Sequence, residues 1–262
     1  MPILESQFAA SSALAHKRKK EMLEQIAHFR QLEQAVLDLS GSPKNQKKFR
    51  NRGKLLPRER LAHLLDPGAP FLELSTLAGL NMHDDDGKKI IMGGGTIIGI
   101  GWVSSTRVLV VVHDSGIKGG AISPMGLKKS LRAQDIALQN KLPMISLVES
   151  AGANLLYQSE LFVNGGRIFY NMARLSAAGI PQITVVHGSS TAGGAYMPGL
   201  SDKVIMVKEQ AEVYLAGPPL VKAALGEGSE PESLGGAQMH ATTTGSADYL
   251  AEDDSHAIAL AR

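Results

Sequence analysis

The sequence predicts an α/β domain in which parallel strands are joined by helical crossovers. Three observations carry this. From residue 90 onward, short Val- and Ile-rich runs alternate with longer segments of helical composition. Glycine-rich stretches stand between them, where a chain leaving a strand must turn tightly. Pro143 and Gly179-Ile180-Pro181 fall directly after helical segments, where helices stop.

The elements follow in order. Residues 7 to about 38 are low in Gly and free of Pro. Leu14, Met22, Leu23, Ile26, Phe29, Leu32, Val36 and Leu37 recur there at helical spacing, predicting a long amphipathic helix or a broken pair with a packing face. Ser40-Gly41-Ser42-Pro43 ends it. Lys44 to Lys54 (KNQKKFRNRGK) reads either as a solvated connector or as an anion-binding surface. Pro57 to Leu65 predicts a short helix with Pro in its first turn, ended by Asp66-Pro67-Gly68. Thr96 to Val103 and Arg107 to His113 are β-rich runs joined by Ser104-Ser105-Thr106, a hairpin. Pro124 to Asn140 is helical, and Met144 to Val148 is a strand ending at Glu149. Arg167 to Ala178 is a helix and Gln182 to His187 the next strand. Ala192 to Leu200 starts another helix. Val204 to Val207 and Glu212 to Leu215 complete the strands. In open α/β sheets, ligands bind beyond the carboxyl ends of the strands.

Composition bounds the function. The 262 residues are 44% hydrophobic and 20% charged, which suits one large globular domain. The net charge of +2 points to neither nucleic acid nor membrane. The absence of Cys excludes disulfides, thiolate metal sites and cysteine nucleophiles. No apolar run approaches the roughly 20 residues that span a bilayer. MPILESQFAASS lacks the pattern of a secretory signal, and acidic residues follow HKRKK (16 to 20) too soon for a typical transit peptide.

Two turns hold the candidate chemistry, Ser150 to Asn154 and Thr191 to Tyr196. Small residues there, at Ser150, Ala151, Gly152 and Ala153 and at Thr191, Ala192, Gly193 and Gly194, let a substrate carbonyl approach backbone N–H donors. The plainer reading of the same glycines is a tight strand–helix turn. Lys118, Gly119 and Gly120, with Lys128 and Lys129 nearby, either hold phosphates or form an ordinary charged surface. Rival motifs fail. The nearest approach to GxSxG, Gly188 to Ala192, ends in Ala. Gly93-Gly94-Gly95 precedes a strand, whereas a dinucleotide fingerprint follows one. His83-Asp84-Asp85-Asp86 reads as a solvated turn or a metal site, and the His residues show no metal-ligand spacing.

RGKLLPRERLAHLLDPG (52 to 68), HDSGIKGGAISP (113 to 124), GRIFYNMARLSAAGIPQI (166 to 183), GSSTAGGAYMPGLSD (188 to 202) and LAGPPLVKAALGE (215 to 227) resemble the N-terminal half of the carboxyltransferase β subunit of biotin-dependent acyl-CoA carboxylases. The resemblance runs along essentially the whole chain and is nearer the methylcrotonoyl-CoA and geranyl-CoA branch than the propionyl-CoA branch. It implies a crotonase-like superhelix of ββα units with an N-terminal helical extension at 1–42. Residues 1–262 would be the acyl-CoA-binding N-domain, with the family's C-domain outside the chain.

The implied chemistry uses biotin as cofactor and no metal in this chain. Carboxybiotin on a carrier gives up CO2, the biotin anion deprotonates the acyl-CoA, and the dienolate attacks CO2. The implied partners are a biotin-carrying α subunit and other β subunits, in the bacterial cytoplasm or a mitochondrial matrix. Ala151 and Gly152 would be the oxyanion donors, while Thr191 to Tyr196 would belong to the acyl-CoA pocket. Family members commonly carry Gly at the place of Ala151. Before GRIF, methylcrotonoyl-type enzymes have a longer segment with an aromatic residue directly before Gly166, where this chain has Gly165. That departure implies a larger acyl pocket suited to geranyl-CoA. Two other readings stand beside this one: a CoA-binding module inactive alone, and a crotonase-like isomerase or hydrolase using Glu149.

Overall fold

A computed structural model describes residues 9–82 and 91–262. The His83 to Asp86 motif and residues 1–8 lie outside the described residues. The N-terminal periodicity is expressed as one unbroken helix, α1 (Ala13–Ser40), capped by Ser12, whose hydroxyl accepts the Ala15 amide. The expected packing face is mostly exposed, with Met22 at 57% and Phe29 at 48%, so most of the stripe goes unpacked among the described residues. Near the end of α1, Glu33 accepts Thr76 Oγ1 at 2.8 Å and Ser40 Oγ donates to Asp114 at 2.6 Å. Lys44 to Lys54 is no loose connector. It begins with a second helix, α2 (Pro43–Arg50), because Asn45 and Phe49 bury one side while Lys44 and Lys47 stay exposed on the other. The third, α3 (Pro57–Leu64), starts on Pro57 as the sequence requires.

A short strand, β1 (Leu72–Glu73), pairs with β2 (Thr96–Val103), which forms a hairpin with β3 (Thr106–His113). The hairpin turn has two residues, Ser104 and Ser105, rather than three. Both take positive φ (48° and 63°), the signature of a type I′ turn. The Asp66 carboxylate accepts both their amides at 2.8 and 2.7 Å, which supplies what a glycine turn would otherwise have provided.

Thereafter the chain alternates: α4 (Pro124–Asn140), β4 (Met144–Ser150), α5 (Gln158–Ala177), β5 (Gln182–Thr191), α6 (Tyr196–Gly199), β6 (Lys203–Val207) and β7 (Glu212–Tyr214). The short helices α7 (Pro218–Leu225), α8 (Pro231–Gly235) and α9 (Ala237–Met239) follow, then β8 (Tyr249–Ala251) and α10 (Asp254–Ala261). The sheet runs β1-β2-β3-β4-β5-β6-β8, with β7 also paired to β5. From β3 to β8 every pairing is parallel, as the alternation predicts. Parallel strands are covered on both faces, and all seven residues of β4 are buried. One core gathers Leu61 and Leu64 of α3 and Ile258 of α10 against Val110 and Val185; the other gathers Ala133 of α4 and Leu175 of α5 against Ile98 and Leu109.

Helix α5 begins nine residues before the predicted Arg167. Gly165 and Gly166 argue against helix, at about 1 kcal/mol each relative to Ala. Burial of Leu161, Met172 and Leu175 on its inner face overrides that preference. Among the described residues no helix is long and apolar enough to cross a membrane.

Candidate functional site

Strands β4 and β5 end side by side, with Ser150 paired to Ser190 after a register shift. The chain leaves β4 through Ala151-Gly152-Ala153. Gly152 takes φ 79°, and a Cβ there would sit 3.1 Å from the Thr191 carbonyl oxygen. This turn is braced from outside. Ile122 donates its amide to Gly152 O at 2.8 Å, and Asn154 donates to Ile122 O at 3.1 Å. From β5 the chain passes into a 3₁₀ turn at Ala192–Ala195. Ala192 holds φ 51°, a strained value for a residue with a Cβ and one that clusters at functional sites.

Both turns open onto one apolar cavity of about 390 Å³. Of the predicted residues, Ala151, Ala153, Gly165, Gly166, Ala192 and Gly193 line it. Leu161, Phe162 and Phe169 of α5, with Ile122 and Met197, complete much of the wall. The predicted start of α5 at Arg167 leaves out Leu161 and Phe162, and nothing in the local sequence singles out Phe169, Ile122 or Met197. A helix begun at Gln158 supplies the signal for its own part of the wall: residues 162, 165, 166 and 169 recur at three- and four-residue spacing on one helical face. Gly165 faces open space: beyond its chain neighbours and its own helix backbone, no heavy atom of the described residues lies within 4 Å of a Cβ built on it.

The remaining predicted residues are placed differently. Ser150 is expected at the substrate but lies 1% exposed behind the turn. Gly152 and Gly194 are buried beside it. Thr191 is half-buried, and Tyr196 is exposed with its ring centroid 4.8 Å from that of Phe169. Lys118–Gly120 forms a separate 3₁₀ turn that joins the site through Gly120, whose carbonyl accepts Ser150 Oγ–H. Lys129 is no phosphate ligand. Its ammonium is buried and donates to Gly93 O at 3.1 Å and Thr96 O at 2.7 Å, and burial lowers its pKa to about 8. Lys128 remains on the surface.

Glu149 points away from this cavity into a buried ionic chain. Its carboxylate meets Lys54 and Arg60, each at 3.0 Å. Arg60 also meets Asp254 at 3.0 Å, and Asp254 accepts His187 Nδ1–H at 2.6 Å. Burial alone would raise the Glu149 carboxyl, but Arg60 and Lys54 outweigh it and hold it below its ordinary value. An anion so held is a poor proton shuttle, which removes the support for a Glu149-based isomerase or hydrolase. Burial likewise raises Asp254, yet His187 and Arg60 bring it down to about 2.

His113, at the end of β3, is buried with no partner for Nδ1 among the described residues, and burial drives its pKa down to about 4 against the opposing charge of Glu149. The folded chain thus prefers the neutral ring. Stability is full above the unfolded value of about 6.5 and falls with pH towards 4, by about 3 kcal/mol in all. Calorimetry is expected to show the unfolding midpoint dropping across this window, and His113→Gln is expected to shrink that drop, leaving the part due to His187, whose ring burial and Arg60 also hold neutral. The Asp254 contribution is lost separately, between about 3.8 and 2.

The carboxyl transferase domain model matches residues 48–262. A probable methylcrotonoyl-CoA carboxylase β chain, mitochondrial, from Drosophila melanogaster is 49% identical over 99% of this chain. The biotin-dependent 3-methylcrotonyl-coenzyme A carboxylase β1 subunit of Mycobacterium tuberculosis is 51% identical over 87%. The solved β subunit of geranyl-CoA carboxylase from P. aeruginosa is 53% identical over 99%, with a TM-score of 0.90. Transcarboxylase 12S, solved with hydrolysed methylmalonyl-coenzyme A bound, is 27% identical with a TM-score of 0.84. The chain spans 45% and 43% of the two relatives and 48% of the geranyl-CoA carboxylase subunit, under half of each. These solved carboxyltransferases share the crotonase-like fold, so the parallel sheet described above is of that type. With the family model matching most of its length, the chain belongs to the carboxyl transferase domain family.

Proposed function

We propose that residues 1–262 are the acyl-CoA-binding N-terminal domain of the carboxyltransferase β subunit of a biotin-dependent acyl-CoA carboxylase, acting on geranyl-CoA. One observation carries the substrate: the apolar cavity at the ends of β4 and β5 has Gly165 on its wall with open space before it. A long branched acyl chain fits such a space, and an aromatic side chain at that position would shorten it. The relatives named for methylcrotonoyl-CoA favour that shorter substrate as the second reading.

Carboxybiotin, brought by a biotin-carrying α subunit, supplies the CO2 and, after releasing it, the base. Ala151 and Ala192 are exposed at the cavity mouth, which leaves room for such a second reactant to approach. The chain itself does three things. The cavity wall holds the acyl chain and excludes water from it. The amides of Ala151 and Gly152 donate to the thioester oxygen as negative charge builds on it, a contribution of about 3–4 kcal/mol per donor in comparable sites. Glu149, held by two cations, stays out of the proton transfer. Other β subunits would complete the site from the opposite side. The setting would be the cytoplasm of a bacterium or a mitochondrial matrix, the latter supported by relatives named mitochondrial.

Gly165→Phe in the complete carboxylase tests the reading. Replacing a mid-helix glycine favours the helix, so folding is expected to survive. Steady-state kinetics are expected to show geranyl-CoA turnover falling about 10- to 100-fold relative to methylcrotonoyl-CoA. An unchanged ratio of kcat/KM values contradicts the pocket assignment.

A further inference from the structure

The three glycine turns meet at a pair of buried hydroxyls. Ser150 and Ser190 are paired across β4 and β5, at 1% and 0% exposure. Ser150 Oγ–H donates to Gly120 O at 3.1 Å, and the same oxygen accepts the Gly152 amide at 3.1 Å. Ser190 Oγ–H donates to Gly194 O at 2.9 Å. Gly194 fits between the two serines: a Cβ there would lie 3.2 Å from Ser150 Cβ and 3.2 Å from Ser190 Oγ. Gly120 packs as closely on the other side, where a Cβ would lie 2.3 Å from Glu149 O and 3.2 Å from Ser150 Cα. A buried hydroxyl is tolerated when its hydrogen bonds are made, and these make theirs to the turns themselves.

We propose that Ser150, supported by Ser190, is a positioning residue that fixes the Gly152 turn and, with it, the direction of the neighbouring Ala151 amide towards the substrate thioester. The inference rests on the acyl-CoA reading above. Gly152 N–H is one of the two expected oxyanion donors, and without substrate it is held by Ser150 Oγ. That hydroxyl is fixed in turn by Gly120 O. The turn is therefore held in a set orientation. Ala151, exposed on the cavity wall, presents its amide from that fixed turn, while the Gly152 amide has to leave Ser150 Oγ before it joins as a second donor. The other two turns are locked to the same joint, so an error at Ser150 is felt across the site.

The test uses Ser150→Ala, with the near-isosteric Ser150→Cys as the variant that keeps the packing should the alanine fail to fold. The 262-residue chain is loaded with 3-methylcrotonoyl-CoA carrying ¹³C at the thioester carbonyl, and the carbonyl stretch is read by infrared difference spectroscopy. The complete carboxylase gives kcat and KM. The wild type is expected to lower the stretch relative to water. The variants are expected to lose at least half of that shift and about tenfold in kcat, with the acyl-CoA KM within about threefold. A merely structural serine would lower the unfolding midpoint and leave stretch and kcat of the folded fraction intact, and that result overturns the inference. A wild-type chain that binds no CoA thioester overturns instead the reading on which it rests.

Discussion

Arg60→Ala is expected to lower stability by about 3–5 kcal/mol, seen calorimetrically as a midpoint roughly 6–20 °C lower. Arg60 is 1% exposed and stands between Glu149 and Asp254, 3.0 Å from each. Its removal strands two buried carboxylates. Lys54 still faces Glu149 and His187 still faces Asp254, but His187 is held neutral by burial and by Arg60, so Asp254 keeps no full cation. Arg60→Lys is not expected to rescue. A single ammonium cannot meet two carboxylates with separate nitrogens as the guanidinium does. A wild-type-like midpoint in either variant contradicts the assigned role. The chain of charges joins α3, β4, β5 and α10, and it lies immediately before the Ser150 turn.

Gly152→Ala is expected to leave a folded protein with about a hundredfold lower kcat. An L-residue is strained at φ 79°, and the new Cβ would press on the Thr191 carbonyl at 3.1 Å. Relief requires the turn to move, which misdirects the two amides. The neighbouring change Ala151→Gly is expected to hold activity within about twofold, because a backbone donor survives either residue and Gly152 is the positive-φ position of this turn. Circular dichroism with steady-state kinetics of the complete carboxylase separates folding from catalysis. Equal activity in Gly152→Ala and wild type contradicts the donor assignment.

Much of the scaffold was legible because its strands are short apolar runs punctuated by Gly and Pro. The span of α4 is met residue for residue at Pro124–Asn140, since Pro124 marks its start and Pro143 follows its end. The strand ends were less legible. Ser150 and Gly188-Ser189-Ser190 read as turns by composition, yet both lie in strands because tertiary pairing of β4 with β5 and of β5 with β7 claims their backbone. The glycine turns of the site were visible as clusters. Its apolar wall was not, because Gly165-Gly166 hid the first half of α5. The ionic chain was also out of reach, since Arg60, Glu149, His187 and Asp254 are far apart in sequence and meet only in the fold.

The central claim is that the cavity between the two glycine turns and α5 receives the acyl chain, with the thioester oxygen at the Ala151 and Gly152 amides. A crystal structure of the chain with geranyl-CoA tests it most directly. Acyl density is expected against Gly165 and Phe169, with the thioester oxygen about 3 Å from at least one of the two nitrogens. Acyl density elsewhere, or a thioester oxygen facing solvent or a side chain instead of those amides, would contradict it.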